Sequence, residues 1–196
     1  MANAKTLEEL SRADYWDERY RGDDSKDATF EWFKSFSNLE SLFRNAFPSL
    51  RARSLVSSIL DAATAYKLPI DLHDQGYTNQ VCVDFSSVVI EDMAARFKDK
   101  GGISWKVEDV RQMSSIPDND VDVAVDKGTL DAMLWGSLWD PPDEVKDNTR
   151  RYIDEPHFIK PFLIREALWD LQVLELKEEA GVFEYFAFVI VKKKAT

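Results

Sequence analysis

Gln80-Val81-Cys82-Val83-Asp84, Ile103-Ser104-Trp105-Lys106-Val107 and Val121-Asp122-Val123-Ala124-Val125 are the stretches that decide the fold. Each is short and apolar, rich in β-branched side chains, and bounded by polar or glycine-containing turns, which is how a buried strand reads. Between the first two, Ser87–Phe97 presents Val88, Ile90, Met93 and Phe97 at helical spacing, and Gly101-Gly102 turns the chain. After the third, Asp126-Lys127-Gly128 leads into a helix expected over Thr129–Leu138 and closed by Pro141-Pro142. This alternation predicts an α/β layered domain, a largely parallel sheet flanked by helices.

Toward the N-terminus, Thr6–Tyr20 reads as a helix, Arg21–Thr29 as a polar loop, and Phe30–Phe47 as a helix with a break near Ser37-Asn38. Arg51–Tyr66 carries Leu55, Val56, Ile59, Leu60, Ala63 and Tyr66 at helical intervals and is expected to be an amphipathic helix, not a strand. Pro69 is expected to interrupt the chain beyond it, and Asp71–Gly76 to enter a turn. Toward the C-terminus, Asn148–Glu155 and Pro161–Trp169 read as helices. Leu171–Leu176 and Phe183–Val191, joined by Lys177–Gly181, read as an antiparallel hairpin.

The 196 residues suit a single domain, residues 1–196, and 44% hydrophobic with 31% charged residues is globular composition rather than disorder. No apolar run is long enough to span a bilayer, and Met1–Arg12 has no signal-peptide core. The single cysteine, Cys82, fits a reducing compartment, so a cytoplasmic location is expected. A formal net charge of -11 repels nucleic acid and favours a basic protein partner or a cationic ligand, though such acidity serves solubility equally well. No nucleic-acid or membrane partner is therefore expected, and nothing fixes the oligomeric state.

Several chemistries lack their residues. His73 and His157 have no partners at metal-ligand spacing, so no metal site is expected. Ser86-Ser87 lacks the G-x-S-x-G frame of a hydrolase elbow, and no phosphate-binding P-loop pattern is present.

The remaining signal is positional. Three successive strands end on carboxylates, at Asp84, Asp109 and Asp126. Ligands of open parallel sheets bind beyond the carboxyl ends of the strands, so these acceptors share one rim. Asp84 is placed to accept ribose hydroxyls and Asp109 an exocyclic adenine amine, while Val110 offers a backbone N–H to a ring nitrogen. A single aspartate there is more often a helix cap. Three in register favour a nucleoside-type ligand.

Tyr15-Trp16-Asp17-Glu18-Arg19-Tyr20, Val83-Asp84-Phe85-Ser86-Ser87, Glu108-Asp109-Val110-Arg111 and Asp126-Lys127-Gly128-Thr129-Leu130-Asp131-Ala132 resemble motifs of the class I S-adenosylmethionine-dependent methyltransferases. The likeness is to the branch containing the elongation factor 1-alpha lysine methyltransferases, with a methyltransferase type 11-like domain. It implies a Rossmann-like fold, S-adenosyl-L-methionine as cofactor, and a lysine of a protein such as elongation factor 1-alpha as acceptor. It further implies that Trp16, Tyr20 and Trp32 belong to a lid within residues 1–47, that Asp84 holds the ribose with Phe85 against the adenine, that Asp109 and Val110 read the adenine edge, and that Lys127 lies beside the methionine. Residues 78–155 form the best-matching core, and residues 156–196 a C-terminal helix and hairpin. No catalytic residue is assigned; Trp135 joins Trp16, Tyr20 and Trp32 as an aromatic surface for a cationic sulfonium.

Two family features are missing. Arg51–Leu68, where a first strand should meet a glycine-rich turn, contains no glycine, and the chain passes from Glu155 to Pro156 without a fifth strand. The fold is expected to be incomplete in consequence. A mis-assembled or alternatively spliced transcript, a substitute strand from another segment, and loss of catalysis are the three explanations, the first favoured by the sharp edges of the gaps. The alternative function is a catalytically inactive methyltransferase-like domain acting as an interaction module. A hydride-transfer enzyme needs the glycines even more.

Overall fold

The computed structural model describes residues 4–22, 36–46, 55–58, 67–117, 123–137, 139–154, 169–176 and 185–192. The element order is α1 (Ala4–Glu9), α2 (Ala13–Gly22), α3 (Phe36–Ala46), β1 (Leu55–Ser58), α4 (Lys67–Asp74), β2 (Gln80–Asp84), α5 (Ser87–Arg96), β3 (Ile103–Val107), β4 (Val123–Asp126), α6 (Thr129–Met133), α7 (Asp143–Asp154), β5 (Trp169–Leu176) and β6 (Tyr185–Lys192).

Four strands form one sheet in the order β3-β2-β1-β4, every pairing parallel. The register sets Leu55 beside both Gln80 and Val123, and Ser58 beside both Val83 and Asp126. Asp84 pairs with Val107 at the end of β3. The strand ends bearing Asp84 and Asp126 therefore share one edge of the sheet. That is the α/β Rossmann-like architecture, with helices on a mostly parallel sheet.

The helical expectation for Arg51–Tyr66 is overturned at its centre. Leu55–Ser58 is a strand, hydrogen-bonded on both sides, and it supplies the middle of the sheet that the sequence seemed to lack. Leu55-Val56-Ser57-Ser58 is too short to show either an alternating or a continuous apolar pattern, and its neighbours satisfy helical spacing. The strand comes from Arg51–Leu68 itself, where the first strand of such a sheet is expected, and not from a substitute segment.

Burial along β2 confirms its place inside. Gln80, Cys82, Val83 and Asp84 are all buried. Val83 packs with Val110, Met113, Ile116, Met133 and Tyr152 on one side, and Cys82 packs with Ile103 and Trp105. On α5, Val89, Ile90 and Met93 meet Tyr20, Phe97 and Trp105. A further cluster joins Phe36, Phe43, Leu68, Leu72 and Tyr77. Gln80 is tolerated there because its amide donates to the carbonyls of Pro69 at 2.9 Å and Tyr77 at 2.6 Å.

Smaller departures have local causes. The single helix expected over Thr6–Tyr20 is two, bent at Leu10–Arg12, where Ser11 Oγ and N both donate to the Glu8 carbonyl. Pro69 lies in the first turn of α4, where the missing N–H costs nothing, so it opens a helix rather than interrupting one. Ser37 and Asn38 lie inside α3 with no break. Helix α6 ends at Met133 because Leu134 is already extended, and α7 starts at Asp143, earlier than the expected Asn148. Gly102 has φ +87°, and a Cβ there would stand 2.0 Å from the Thr78 carbonyl oxygen, so the turn into β3 requires glycine.

The hairpin forms as a separate two-stranded antiparallel sheet, running from Trp169 opposite Lys192 to Leu176 opposite Tyr185. Trp169 opens β5 rather than closing a helix, and residues 161–168 of that expected helix lie outside the described residues. Among the described residues no helix is long and apolar enough to cross a membrane, and no cluster of metal-ligating side chains occurs.

Candidate functional site

Beyond the carboxyl ends of β2 and β3 lies a narrow cleft lined by Val83, Asp84, Phe85, Asp109, Val110 and Met133, among others. Asp84 terminates β2 and is only 3% exposed. One of its oxygens, Oδ1, accepts the backbone N–H of Ser86 at 2.7 Å; the other, Oδ2, is buried without a hydrogen-bond partner. Burial pushes the Asp84 carboxyl well above the usual carboxylate range; the Ser86 N–H opposes this, and the charge of Asp17 adds to it. A buried acceptor that lacks a donor is costly unless a ligand supplies one.

Asp109 stands in the loop after β3. Its carboxylate accepts Arg111 Nε at 2.8 Å, Arg111 Nη2 at 2.7 Å and the Arg111 backbone N–H at 2.9 Å. Burial raises the Asp109 carboxyl, yet the Arg111 bonds outweigh it and hold the group below its ordinary value. Arg111 in turn donates to Asn148 Oδ1 at 2.6 Å, which ties the loop to α7. An adenine amine would have to share this carboxylate with Arg111, a competitor that the strand-end pattern does not reveal. Val110 is buried and lines the cleft, and Phe85 lines it half-buried.

Asp126 serves the fold instead. It accepts the backbone N–H groups of Thr129 at 2.8 Å and Leu130 at 3.2 Å, and the Tyr152 hydroxyl at 2.6 Å. This is the helix-capping role an aspartate at a strand–helix junction most often takes. Burial still raises its carboxyl above the ordinary value, with the three hydrogen bonds opposing. Lys127 comes next, half-buried, at the end of β4.

The aromatic residues assigned to a lid fall in different places. Trp16 is buried on α2, its Nε1 donating to the Leu10 carbonyl at 2.7 Å, and Tyr20 packs against α5. It is Leu10 and Ser11, at the α1–α2 corner, that line the cleft itself. Trp32 lies outside the described residues. Trp135 lines a second, mainly apolar cleft of about 430 Å³ with Leu134, Pro141, Val145, Thr149 and Ile153.

Beneath the α1–α2 corner the first cleft encloses about 20 Å³, room for a water molecule at most. That space is smaller than an adenosine. The chemistry of the lining nevertheless fits a nucleoside: a buried carboxylate oxygen lacking a donor for ribose hydroxyls, beside Phe85, Val110 and Met133 as apolar walls for a base. Arg111, Ser86, Asp17, Leu10 and Ser11 are the participants that strand-end reasoning missed. Only the Asp109-Val110-Arg111 spacing carried a local signal, since a turn brings such side chains together.

No family model matches the chain. Individual relatives do. It is 37% identical over 124 residues to "EEF1A lysine methyltransferase 4" of Bos taurus, a match covering 62% of this chain and 45% of the relative. The Mus musculus counterpart is 36% identical over the same shares. The "eEF1A lysine and N-terminal methyltransferase" of Bos taurus is 31% identical, across 66% of this chain and 18% of that protein. The matched stretch therefore spans less than half the length of these relatives. A solved Methanococcus maripaludis structure, provisionally described as an S-adenosyl-L-methionine-dependent methyltransferase, covers 100% of this chain and 98% of that one at 15% identity and a TM-score of 0.43. That distant likeness adds nothing to the sequence relationship. The chain is thus similar over 62% of its length to proteins named EEF1A lysine methyltransferase, and its four-stranded parallel sheet is of the Rossmann-like kind.

Proposed function

We propose that the protein transfers a methyl group from S-adenosyl-L-methionine to a lysine side chain of a protein, with elongation factor 1-alpha the first substrate to test. The single observation that carries this reading is the Asp84 carboxylate, buried at the end of β2 with one oxygen lacking a partner. A ribose diol supplies the donors that oxygen lacks, and a relative at 37% identity is named a lysine methyltransferase of this factor.

When bound, the cofactor supplies an electrophilic methyl on a sulfonium. The chain's part is to bind, orient and exclude water. Asp84 would hold the ribose, Phe85 and Val110 would flank the adenine, and Lys127 at the end of β4 would lie toward the methionine. Trp16, Tyr20 and Trp32 would belong to the N-terminal lid region, with the Leu10–Ser11 corner closing over the adenosine. The acceptor amine must shed a proton from a reference pKa of about 10.4, which a desolvated channel favours. An acidic chain suits a basic protein segment, and a cytoplasmic setting goes with this reading.

A second reading, an inactive methyltransferase-like interaction module, has one observation in its favour. No glycine occurs between Gly22 and Gly76, so the residues that follow β1 in sequence all carry side chains, where the family's bare backbone would approach the methionine. Calorimetric titration with S-adenosylmethionine and S-adenosylhomocysteine, followed by a methylation assay on purified elongation factor 1-alpha, separates the two. Micromolar binding, weakened at least about 30-fold in Asp84→Ala through loss of charge-assisted hydrogen bonds, together with methylated lysine in the product, supports the enzyme. Binding without turnover supports the module. Absence of binding by the wild-type chain removes the methyltransferase activity.

A further inference from the structure

Ser86, the N-cap of α5, is wholly buried and joins three elements. Its backbone N–H donates to Asp84 Oδ1, and its Oγ accepts the Val89 N–H at 3.4 Å. The hydroxyl hydrogen needs an acceptor as well, and it goes to Asp17 Oδ1 on α2, at 2.5 Å. The other oxygen of that aspartate makes a loose contact, Oδ2 standing 3.7 Å from Arg21 at the exposed side. Apolar packing of Tyr20 on Val89, Ile90 and Met93 holds α2 against α5, and the Asp17–Ser86 bond adds a directional tie between the two helices. Immediately before α2, Leu10 and Ser11 cover the cleft, and Trp16 holds the Leu10 carbonyl.

We propose that Asp17 is a positioning residue for Asp84: by locking the Ser86 cap it fixes the N–H that holds one Asp84 oxygen, leaving the other for the ligand under the Leu10–Ser11 corner. This rests on the nucleoside-binding reading of the cleft. The arrangement has an electrostatic consequence. Asp17 is a second negative charge facing Asp84, which opposes its ionisation. Glu108, Asp109 and Arg111 line the same cleft from the β3 side; Asp109 and Arg111 neutralise one another, and Glu108 accepts the Ser115 N–H. Removing the Asp17 charge therefore lets Asp84 ionise at lower pH, whereas removing its oxygen frees the cap.

Asp17→Asn keeps the acceptor and drops the charge; Asp17→Ala drops both. Two measurements on wild type and both variants test the idea. One is S-adenosylhomocysteine affinity by calorimetry across the acid-to-neutral range. The other is the titration midpoint of the Asp84 carboxyl carbon, by NMR on the free protein. Asp17→Ala is expected to weaken binding about tenfold and Asp17→Asn less than about threefold at neutral pH, the difference being one buried hydrogen bond. Asn should also move the Asp84 midpoint, and the acid limb of binding, to lower pH. Equal affinity in all three proteins, or an Asp84 midpoint that Asp17→Asn does not move, overturns the proposal. Failure of the wild-type chain to bind overturns the methyltransferase reading instead, and the midpoint in the free protein still decides whether Asp17 and Asp84 are coupled.

Discussion

Asp84 is under two opposed demands in the proposed nucleoside site, because the burial that would suit it to a ligand also makes it expensive to ionise in the free protein. Its folded-state pKa lies above the unfolded value of about 3.9. The folded chain therefore binds the Asp84 proton more tightly than the unfolded chain does. The associated stability is fully present below the unfolded pKa and is lost as pH rises through the folded one. The cost of burying this carboxyl is therefore greater at neutral than at acid pH. Asp84→Asn, which keeps an oxygen for the Ser86 N–H, should stabilise the ligand-free protein by about 1 kcal/mol or more at neutral pH. It should also flatten the fall in stability between acid and neutral pH while abolishing nucleoside binding. Thermal melts in a pH series check this, and an unchanged or lowered midpoint at neutral pH would count against a costly, unsatisfied Asp84. At this scale the sequence was a partial guide. That carboxylates end strands was legible, since it depends on neighbouring residues. Their partners were not: Asp126 meets Tyr152 from 26 residues away, and Asp17 reaches Ser86 across 69.

Helix α6 is too short to hold itself in place, with Thr129–Met133 amounting to little more than one turn. Two devices replace length. Gly128, at φ +94°, makes the turn out of β4, and Asp126 caps the helix while gripping the Tyr152 hydroxyl on α7. Tyr152→Phe removes the grip and leaves a buried carboxylate short of a donor. The expected loss is about 1–2 kcal/mol, measurable as a lower urea midpoint with an unchanged slope. A loss near zero would mean that water replaces the hydroxyl and that the α6–α7 tie is incidental. Elements with a strong local signature were legible with near-exact bounds: β2, β3 and α5, each set off by glycine turns or a serine cap. Where boundaries moved, tertiary contacts or proline position decided them, as at α4, which accepts Pro69 in its first turn, and α7, whose start at Asp143 comes directly after Pro141-Pro142.

At the scale of the whole molecule, β1 is the decisive element, since among the described residues it alone joins the β2–β3 pair to β4. Sequence reasoning lost it for a physical reason: Leu55–Ser58 is only four residues, two of them serines, and is bounded by segments with helical spacing, so only pairing on both sides identifies it. The missing glycines pointed to a sheet without a middle, yet a strand's backbone pairing asks nothing of the residue type in the turn after it. The sheet therefore forms although that stretch holds no glycine. Ser57→Pro tests this directly. Ser57 pairs with Cys82 on one side and Val125 on the other, so proline deletes a ladder hydrogen bond whichever neighbour the N–H faces. The expected cost is about 3 kcal/mol or more, a large part of a typical domain's roughly 5–15 kcal/mol. Urea titrations followed by tryptophan fluorescence and far-ultraviolet circular dichroism should show the cooperative transition shifted far down or gone. In a helix the same proline would also be damaging, so a second change is needed to separate the readings. Ser57→Val, favourable to a strand and mildly unfavourable to a helix, should hold or raise the midpoint if β1 is central to the sheet. A Ser57→Val protein less stable than wild type, or a Ser57→Pro protein with the wild-type midpoint, would take Leu55–Ser58 out of the sheet and leave its middle open once more.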